Sequence, residues 1–266
     1  MIFSFGVLAP LFAISAVIAI VLHEVAHGLV AKWNGDLTAK YAGRITLNPL
    51  KHFELLGFIL LIFAGFGFAK PVPVNFNNFK RKRLGIFLVS IAGVSVNLIM
   101  VFLCAFFIVI IERFGYTHPL NFNPPFLLGW AQGDGTGFIQ WASGVFGAHP
   151  VTIITHFFFV MLMLINANLV VFNLLPFFPL DGHRVLESAF GPANRVVKFL
   201  RDWGPGFLMI LIGLGFIFNL LASFVPNYPP WLNPLWYVMR YVGGGIMAVF
   251  LNLFRVMFGV PVSWAL

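Results

Sequence analysis

The chain is 266 residues long, 60% hydrophobic and 9% charged, with a mean hydropathy of +0.95. Soluble globular domains carry about 25% charged residues, so this composition excludes an ordinary soluble enzyme and marks an integral membrane protein. The net charge of +8 does not argue for nucleic acid, because the basic residues cluster in short loops between apolar runs, where they set orientation in the bilayer. The single cysteine, Cys104, lies in an apolar run, cannot form an intrachain disulfide and reads as a small buried hydrophobe. The first residues carry no positive n-region, so no cleavable signal peptide is expected.

In chain order, the first apolar run extends from about Phe5 to Trp33 and ends at the turn signal Asn34-Gly35-Asp36. Between Leu37 and Leu47 partial alternation reads as a short β element, closed by Asn48-Pro49. Lys51, His52 and Glu54 follow, with His52 read as an interfacial structural residue rather than a metal ligand. Leu55 to Ala69 is apolar but short for a span, which needs about 20 residues, and it contains Gly57, Gly65 and Gly67; a re-entrant or interfacial segment is expected. Lys70-Pro71-Val72-Pro73-Val74-Asn75 then runs extended, because each proline removes a donor and disfavours helix in its predecessor. After the basic cluster Lys80–Arg83, a full span covers Leu84 to Ile111. Glu112 to His149 reads as a Gly/Pro-rich aromatic connector near the membrane surface. Pro150 to Leu175 is the next span, broken at Pro176-Phe177-Phe178-Pro179-Leu180-Asp181-Gly182. An interfacial helix is expected over Gly182–Trp203, then spans near Gly204–Val225 and Leu235–Phe258. No internal repeat is evident.

The basic residues argue for orientation. Lys32, Lys40, Arg44 and Lys51 precede the short apolar segment; Lys70 and Lys80–Arg83 follow it. If that segment re-enters, these nine share one side with Arg184, Arg195, Lys198 and Arg201. Thirteen of the sixteen basic residues then face the cytoplasm, with five full spans and an external N-terminus.

Inside the first apolar run lies His23-Glu24-Val25-Ala26-His27. In a helix the histidines fall at i and i+4 and project from one face. Two imidazoles at that spacing can occupy two positions on Zn²⁺, and the adjacent glutamate can act as base toward water. Each ionisable residue costs about 2.5–3.5 kcal/mol to place in a span, which makes three in five positions a functional signal. A catalytic zinc normally takes three protein ligands and keeps one open position. Among the eight acidic residues, Asp36, Glu54, Glu112, Asp134, Glu187 and Asp202 read as loop or interface residues, leaving Glu24 and Asp181 in apolar surroundings. Asp181 follows a span broken by two prolines, where irregular backbone can line a cavity. It is the candidate third ligand, with helix N-capping as its alternative.

These stretches together resemble the site-2 protease family of intramembrane zinc metalloproteases. The resemblance rests on His23-Glu24-Val25-Ala26-His27 and on Asn173-Leu174-Leu175-Pro176-Phe177-Phe178-Pro179-Leu180-Asp181-Gly182, with the form Asn-x-x-Pro-x-x-Pro-x-Asp-Gly. Arg44-Ile45-Thr46-Leu47-Asn48-Pro49-Leu50-Lys51-His52 and Lys70–Asn75 are similar to the compact bacterial and archaeal branch. No PDZ-like or CBS-like domain is inserted. The resemblance covers roughly residues 15–190. It departs at Ala92-Gly93-Val94-Ser95-Val96-Asn97, where the family usually has proline after the glycine; Asn97 reads as a packing residue. The resemblance implies that His23, His27 and Asp181 bind one Zn²⁺, that Glu24 activates water, and that Asn173 holds the substrate carbonyl or its oxyanion.

The expected protein is therefore an all-α polytopic membrane protein with about five spans, a re-entrant segment and a small β element. Residues 1–190 form the catalytic membrane core and 191–266 add C-terminal transmembrane helices, with no separate soluble domain. The expected activity is zinc endopeptidase action on transmembrane segments of membrane-anchored proteins near the cytoplasmic face of the cell membrane. The substrate strand could add to the edge of the β element at Leu37–Leu47. The partners are a transmembrane-segment substrate and the lipid bilayer, with no nucleic acid. The alternatives are a membrane metal-binding or transport protein and a non-catalytic relative that binds membrane helices.

Overall fold

The computed structural model describes residues 9–53, 57, 69–115, 150–224 and 238–262. Its elements in order are α1 (Ala9–Trp33), α2 (Thr38–Tyr41), α3 (Lys82–Phe114), α4 (Pro150–Asn173), α5 (Asp181–Phe190), α6 (Arg195–Phe224) and α7 (Gly244–Phe258), the last entered through a π-helical turn, Met239–Gly243. Four stretches are long and apolar enough to cross a membrane: Pro10–Trp33, Lys82–Phe114, Ile154–Asn173 and Met239–Phe258. The chain is a multi-pass membrane protein. Four such stretches, rather than five, are found among the described residues. The span expected at 204–225 falls within α6, which begins in the polar stretch at Arg195 and carries Pro205 inside it.

Helix α3 is the axis of the bundle and packs against α1, α4, α5 and α7. Its 33 residues reach about 50 Å, well beyond a hydrocarbon core of about 30 Å, so the basic start of the helix extends past the apolar zone. Val101, Cys104, Ala105 and Ile108 of α3 are buried against Val160, Met161 and Ala167 of α4, Ala19 of α1, and Met247 and Leu251 of α7. Small residues at these contacts let the helix backbones approach, which is how packing is gained where lipid supplies no hydrophobic drive. Ile99, Phe102, Leu103, Val249 and Val256 are instead exposed on the bundle's outside, as a lipid-facing surface requires.

The β element expected over Leu37–Leu47 is not formed; no strand occurs among the described residues. Asp36 prevents it. Its Oδ1 accepts from the Thr38 amide at 3.1 Å and the Thr38 hydroxyl at 2.5 Å, which turns the chain into α2. Gly43, in the left-handed region at φ +64°, then ends that turn, and the Arg44 amide donates to Ala39 O at 2.9 Å. Local side-chain capping outcompetes a weak alternation here. With no strand, the proposed edge for substrate addition at Leu37–Leu47 is lost.

Asp36 is also buried rather than a loop acid in water. Burial opposes its ionisation, but hydrogen bonds from Thr38, Asn75 and Asn78 outweigh that and hold the carboxyl below its usual range. The contribution of such a group is complete above the unfolded carboxylate pKa of about 3.9 and is lost only as pH falls through the lowered folded value.

Phe53, two residues before the apolar segment Leu55–Ala69, and Ala69 at the end of that segment form an isolated antiparallel bridge, and the Lys70 amide donates to His52 O at 2.7 Å. Most of the segment between them lies outside the described residues. His52 is fully buried, with Nε2 2.8 Å from Thr46 O, in keeping with a structural role. The expected connector from Glu112 to His149 also lies outside the described residues from 116 onward.

Glu112 itself corrects the acid inventory. It sits in the last turns of α3, buried, and its carboxylate takes two bonds from Arg255 of α7: Nε to Oε2 at 3.1 Å and Nη2 to Oε1 at 2.9 Å. The two partners are 143 positions apart, so sequence proximity gives no hint of the pair. Removing one member of a buried pair leaves an uncompensated charge and costs about 3–5 kcal/mol, whereas replacing both can be neutral. Arg255→Leu is therefore expected to lower the thermal midpoint in detergent markedly, and Glu112→Leu/Arg255→Leu to recover most of the loss.

Candidate metal centre

Helix α1 presents His23 and His27 one turn apart on the side facing α3. Their rings meet edge to face with centroids 4.6 Å apart. Residues of α3 complete their surroundings. The carbonyl of Val89 lies 2.7 Å from His27 Nδ1; a carbonyl only accepts, so Nδ1 carries the proton and Nε2 has a free lone pair. Asn97 lies 3.2 Å from His23 Nδ1 through its amide, while its buried Oδ1 has no hydrogen-bond partner among the described residues. Turning that amide over puts Oδ1 against Nδ1–H, satisfies both groups and frees His23 Nε2 in the same way. Gly93 makes the close approach possible: a Cβ there would stand 2.6 Å from both His27 Nε2 and His23 Nδ1, too close for either ring.

Asp181 arrives from the other side. Helix α4 ends at Asn173, and the chain turns through Pro176 and a cis Phe178–Pro179 peptide before α5 starts at Asp181. The N-cap position belongs to Leu180, with no side-chain cap bond, so the capping alternative for Asp181 does not hold. Gly182 lets the turn close, because a Cβ there would strike the carbonyls of Leu174 and Leu175. His183 is buried beside it, its Nε2 3.1 Å from Val197 O of α6, which fixes α5 against the next helix.

These pieces converge. Asp181 Oδ2 lies 3.3 Å from Nε2 of each histidine, and the two Nε2 atoms are 3.0 Å apart. His23, His27 and Asp181 form the group of potential ligands whose donor atoms face one another. A tetrahedral zinc with arms of about 2.0–2.1 Å has ligand-to-ligand edges of about 3.3–3.4 Å. The three donors thus fit one face of such a centre. Among the described residues Asp181 Oδ2 has no hydrogen-bond donor, which suits an oxygen that binds a cation.

Glu24, next to His23, is held from a fourth direction: Val72 of the extended 70–75 segment donates its amide to Glu24 Oε2 at 3.0 Å. Asn173, in the last turn of α4, uses one N–H on Leu169 O at 3.0 Å, and a side-chain amide has a second. Val89 O, the Val72 amide, Gly93 and Asn97 are the parts of the site not singled out from the sequence as functional. The first two are backbone groups and leave no residue signal, whereas the Gly93–Asn97 spacing of four puts both on one face of α3, the face that the structure turns to the histidines.

A membrane helix bundle that brings two histidines, an aspartate and a neighbouring glutamate together carries the donor set that a metallohydrolase needs. The comparisons agree with this class. Residues 11–211 match the model of peptidase family M50, and the chain belongs to that family; it is a metalloprotease. It is 37% identical over 205 residues to the "Putative zinc metalloprotease YwhC" of Bacillus subtilis strain 168, covering 77% of this chain and 80% of that one. It is 27% identical over 200 residues to the "Putative zinc metalloprotease Rip2" of Mycolicibacterium smegmatis, covering 72% of this chain and 61% of that longer one. No solved structure matches the chain.

Asn97→Ala is expected to weaken metal retention about 10- to 100-fold, the usual effect of losing a partner that orients a ligating imidazole. Competition with a chromogenic chelator on the purified protein measures it.

Proposed function

We infer that this chain is an intramembrane zinc endopeptidase that holds one Zn²⁺ on His23, His27 and Asp181 and cleaves transmembrane segments of membrane-anchored proteins near the cytoplasmic face. The observation that carries the reading is the convergence of His23 Nε2, His27 Nε2 and Asp181 Oδ2 within 3.0–3.3 Å beside Glu24. Two imidazoles and a carboxylate form a donor set suited to zinc and leave a position open. The zinc metalloprotease names of the relatives support the choice of metal.

When bound, zinc would polarise the scissile carbonyl and make the attacking water more acidic. The remaining work belongs to the chain's own residues. Glu24 takes the proton of the attacking water and returns it to the leaving amine, while the Val72 amide keeps its carboxylate aimed. Asn173 offers its second amide N–H to the developing oxyanion. His27 and His23 keep their Nδ1 protons on Val89 O and Asn97 and so present unprotonated Nε2 atoms to the metal. A transmembrane substrate has its peptide bonds hidden in helical hydrogen bonds and must unwind locally to be attacked.

The cytoplasmic orientation rests on charge. Phe53 and Ala69 are paired, so the basic groups before and after the apolar segment meet at one place, as a re-entrant segment requires. Lys51 and Lys70 then share a side with the cluster at Lys80–Arg83, the side that basic loops favour.

Glu24→Gln tests the hydrolytic reading. It is expected to retain zinc and to cut cleavage of a membrane-anchored reporter by about 10²–10⁴-fold; unimpaired cleavage contradicts it. Asp181→Ala is expected to lower the zinc-to-protein ratio measured by elemental analysis, and an unchanged ratio removes Asp181 from the ligand set.

A further inference from the structure

We propose that Asp36 is a positioning residue for the catalytic base: its buried carboxylate anchors the extended strap Lys70–Asn75, whose Val72 amide holds Glu24. The proposal rests on the reading of Glu24 as the base.

The strap is tied at both ends. At its C-terminal end the Asn75 amide donates to Asp36 Oδ2 at 2.7 Å, and the Asn78 side chain donates to Asp36 Oδ1 at 2.8 Å. The Lys80 amide adds a bond to Asn34 O at 3.2 Å. At its N-terminal end the Lys70 amide is bound to His52 O, and the Lys70 carbonyl accepts from the buried Arg44 guanidinium. Asp36, Arg44 and His52 are all buried, and all come from the loop that follows α1. The loop therefore works as a clasp on the strap.

Between the ties, the sequence Pro71-Val72-Pro73 leaves one N–H, that of Val72. Both prolines have fixed φ, and Pro73 restricts Val72 to extended backbone, so the donor is stiffly held. It points at Glu24 Oε2. The Val72 side chain is buried, and its Cγ1 would lie 3.4 Å from a Cβ placed on Gly28 of α1, one turn beyond Glu24. Asp36 lies twelve positions past Glu24 in sequence and reaches it through three residues of strap. A carboxylate with one oxygen fixed by a backbone amide has lost the rotation that would otherwise spread its position, and small misplacements at a reacting group are costly.

Hydrogen–deuterium exchange reads the link directly, because a peptide covering Pro71–Pro73 has Val72 as its one exchangeable amide among those three residues. In the zinc-loaded full chain, Asp36→Asn places an amide NH₂ where the Asn75 N–H needs an acceptor. The expected result is faster exchange at both Asn75 and Val72. With it, kcat on the membrane-anchored reporter falls about 10- to 100-fold at unchanged KM and zinc content. Glu24→Ala should speed exchange at Val72 while Asn75 stays protected. If Asp36→Asn speeds Asn75 but leaves Val72 and kcat as in wild type, the strap does not transmit and the proposal is overturned. The same holds if kcat falls only together with zinc content. Should Asp36→Asn fail to fold, Glu24→Ala decides: unchanged Val72 exchange overturns the proposal. The reading of Glu24 as base fails separately, if Glu24→Gln still cleaves.

Discussion

A buried imidazole has two nitrogens to satisfy, and in this bundle each of the two histidines turns Nε2 toward Asp181 and Nδ1 toward α3. That double demand sets the architecture around it. Helix α3 has to pass close enough to α1 for Val89 O to reach His27 Nδ1 at 2.7 Å and for Asn97 to reach His23. Gly93 is the residue that permits the approach, because any side chain there would occupy the imidazoles' space. The price of misplacing α3 is two buried, half-satisfied rings. The centre and the packing of α3 are thus one constraint.

The third donor comes from a different solution to the same problem. A continuous helix through Asn173 to Asp181 would hide its backbone but leave the carboxylate wherever the helix turned. Two prolines end α4, and Gly182 allows α5 to restart against the carbonyls of Leu174 and Leu175. The irregular stretch is tolerated because it faces protein: Phe178 N donates to Leu200 O at 3.3 Å, and His183 is tied to Val197 O. A short helix begun inside the fold can deliver Asp181 at its first residue, where a long one could not.

Much of the candidate site is legible in the sequence because its chemistry is written in side chains that are costly in a membrane. His23, Glu24 and His27 could be recognised by spacing, and Asp181 by the broken span before it. The parts that were not legible are of two kinds. Val89 O and the Val72 amide are backbone groups whose roles depend on where α3 and the strap pass. From sequence alone Glu112 and Asp36 read as interfacial or loop acids, because Arg255 lies on α7 and Asn75 lies 39 positions from Asp36. The alternation at Leu37–Leu47 misled for a local reason, since Asp36 caps Thr38 and Gly43 ends the turn. The turn signal Asn34-Gly35-Asp36 already contained the residue responsible.

X-ray absorption at the zinc edge of the purified, zinc-loaded protein reads whether His23, His27 and Asp181 hold a single zinc beside Glu24. Scattering from two imidazoles and from oxygen at about 2.0–2.1 Å, with no sulfur, is expected. Zinc bound without imidazole scattering, or with a sulfur shell at about 2.3 Å from Cys104, would contradict it.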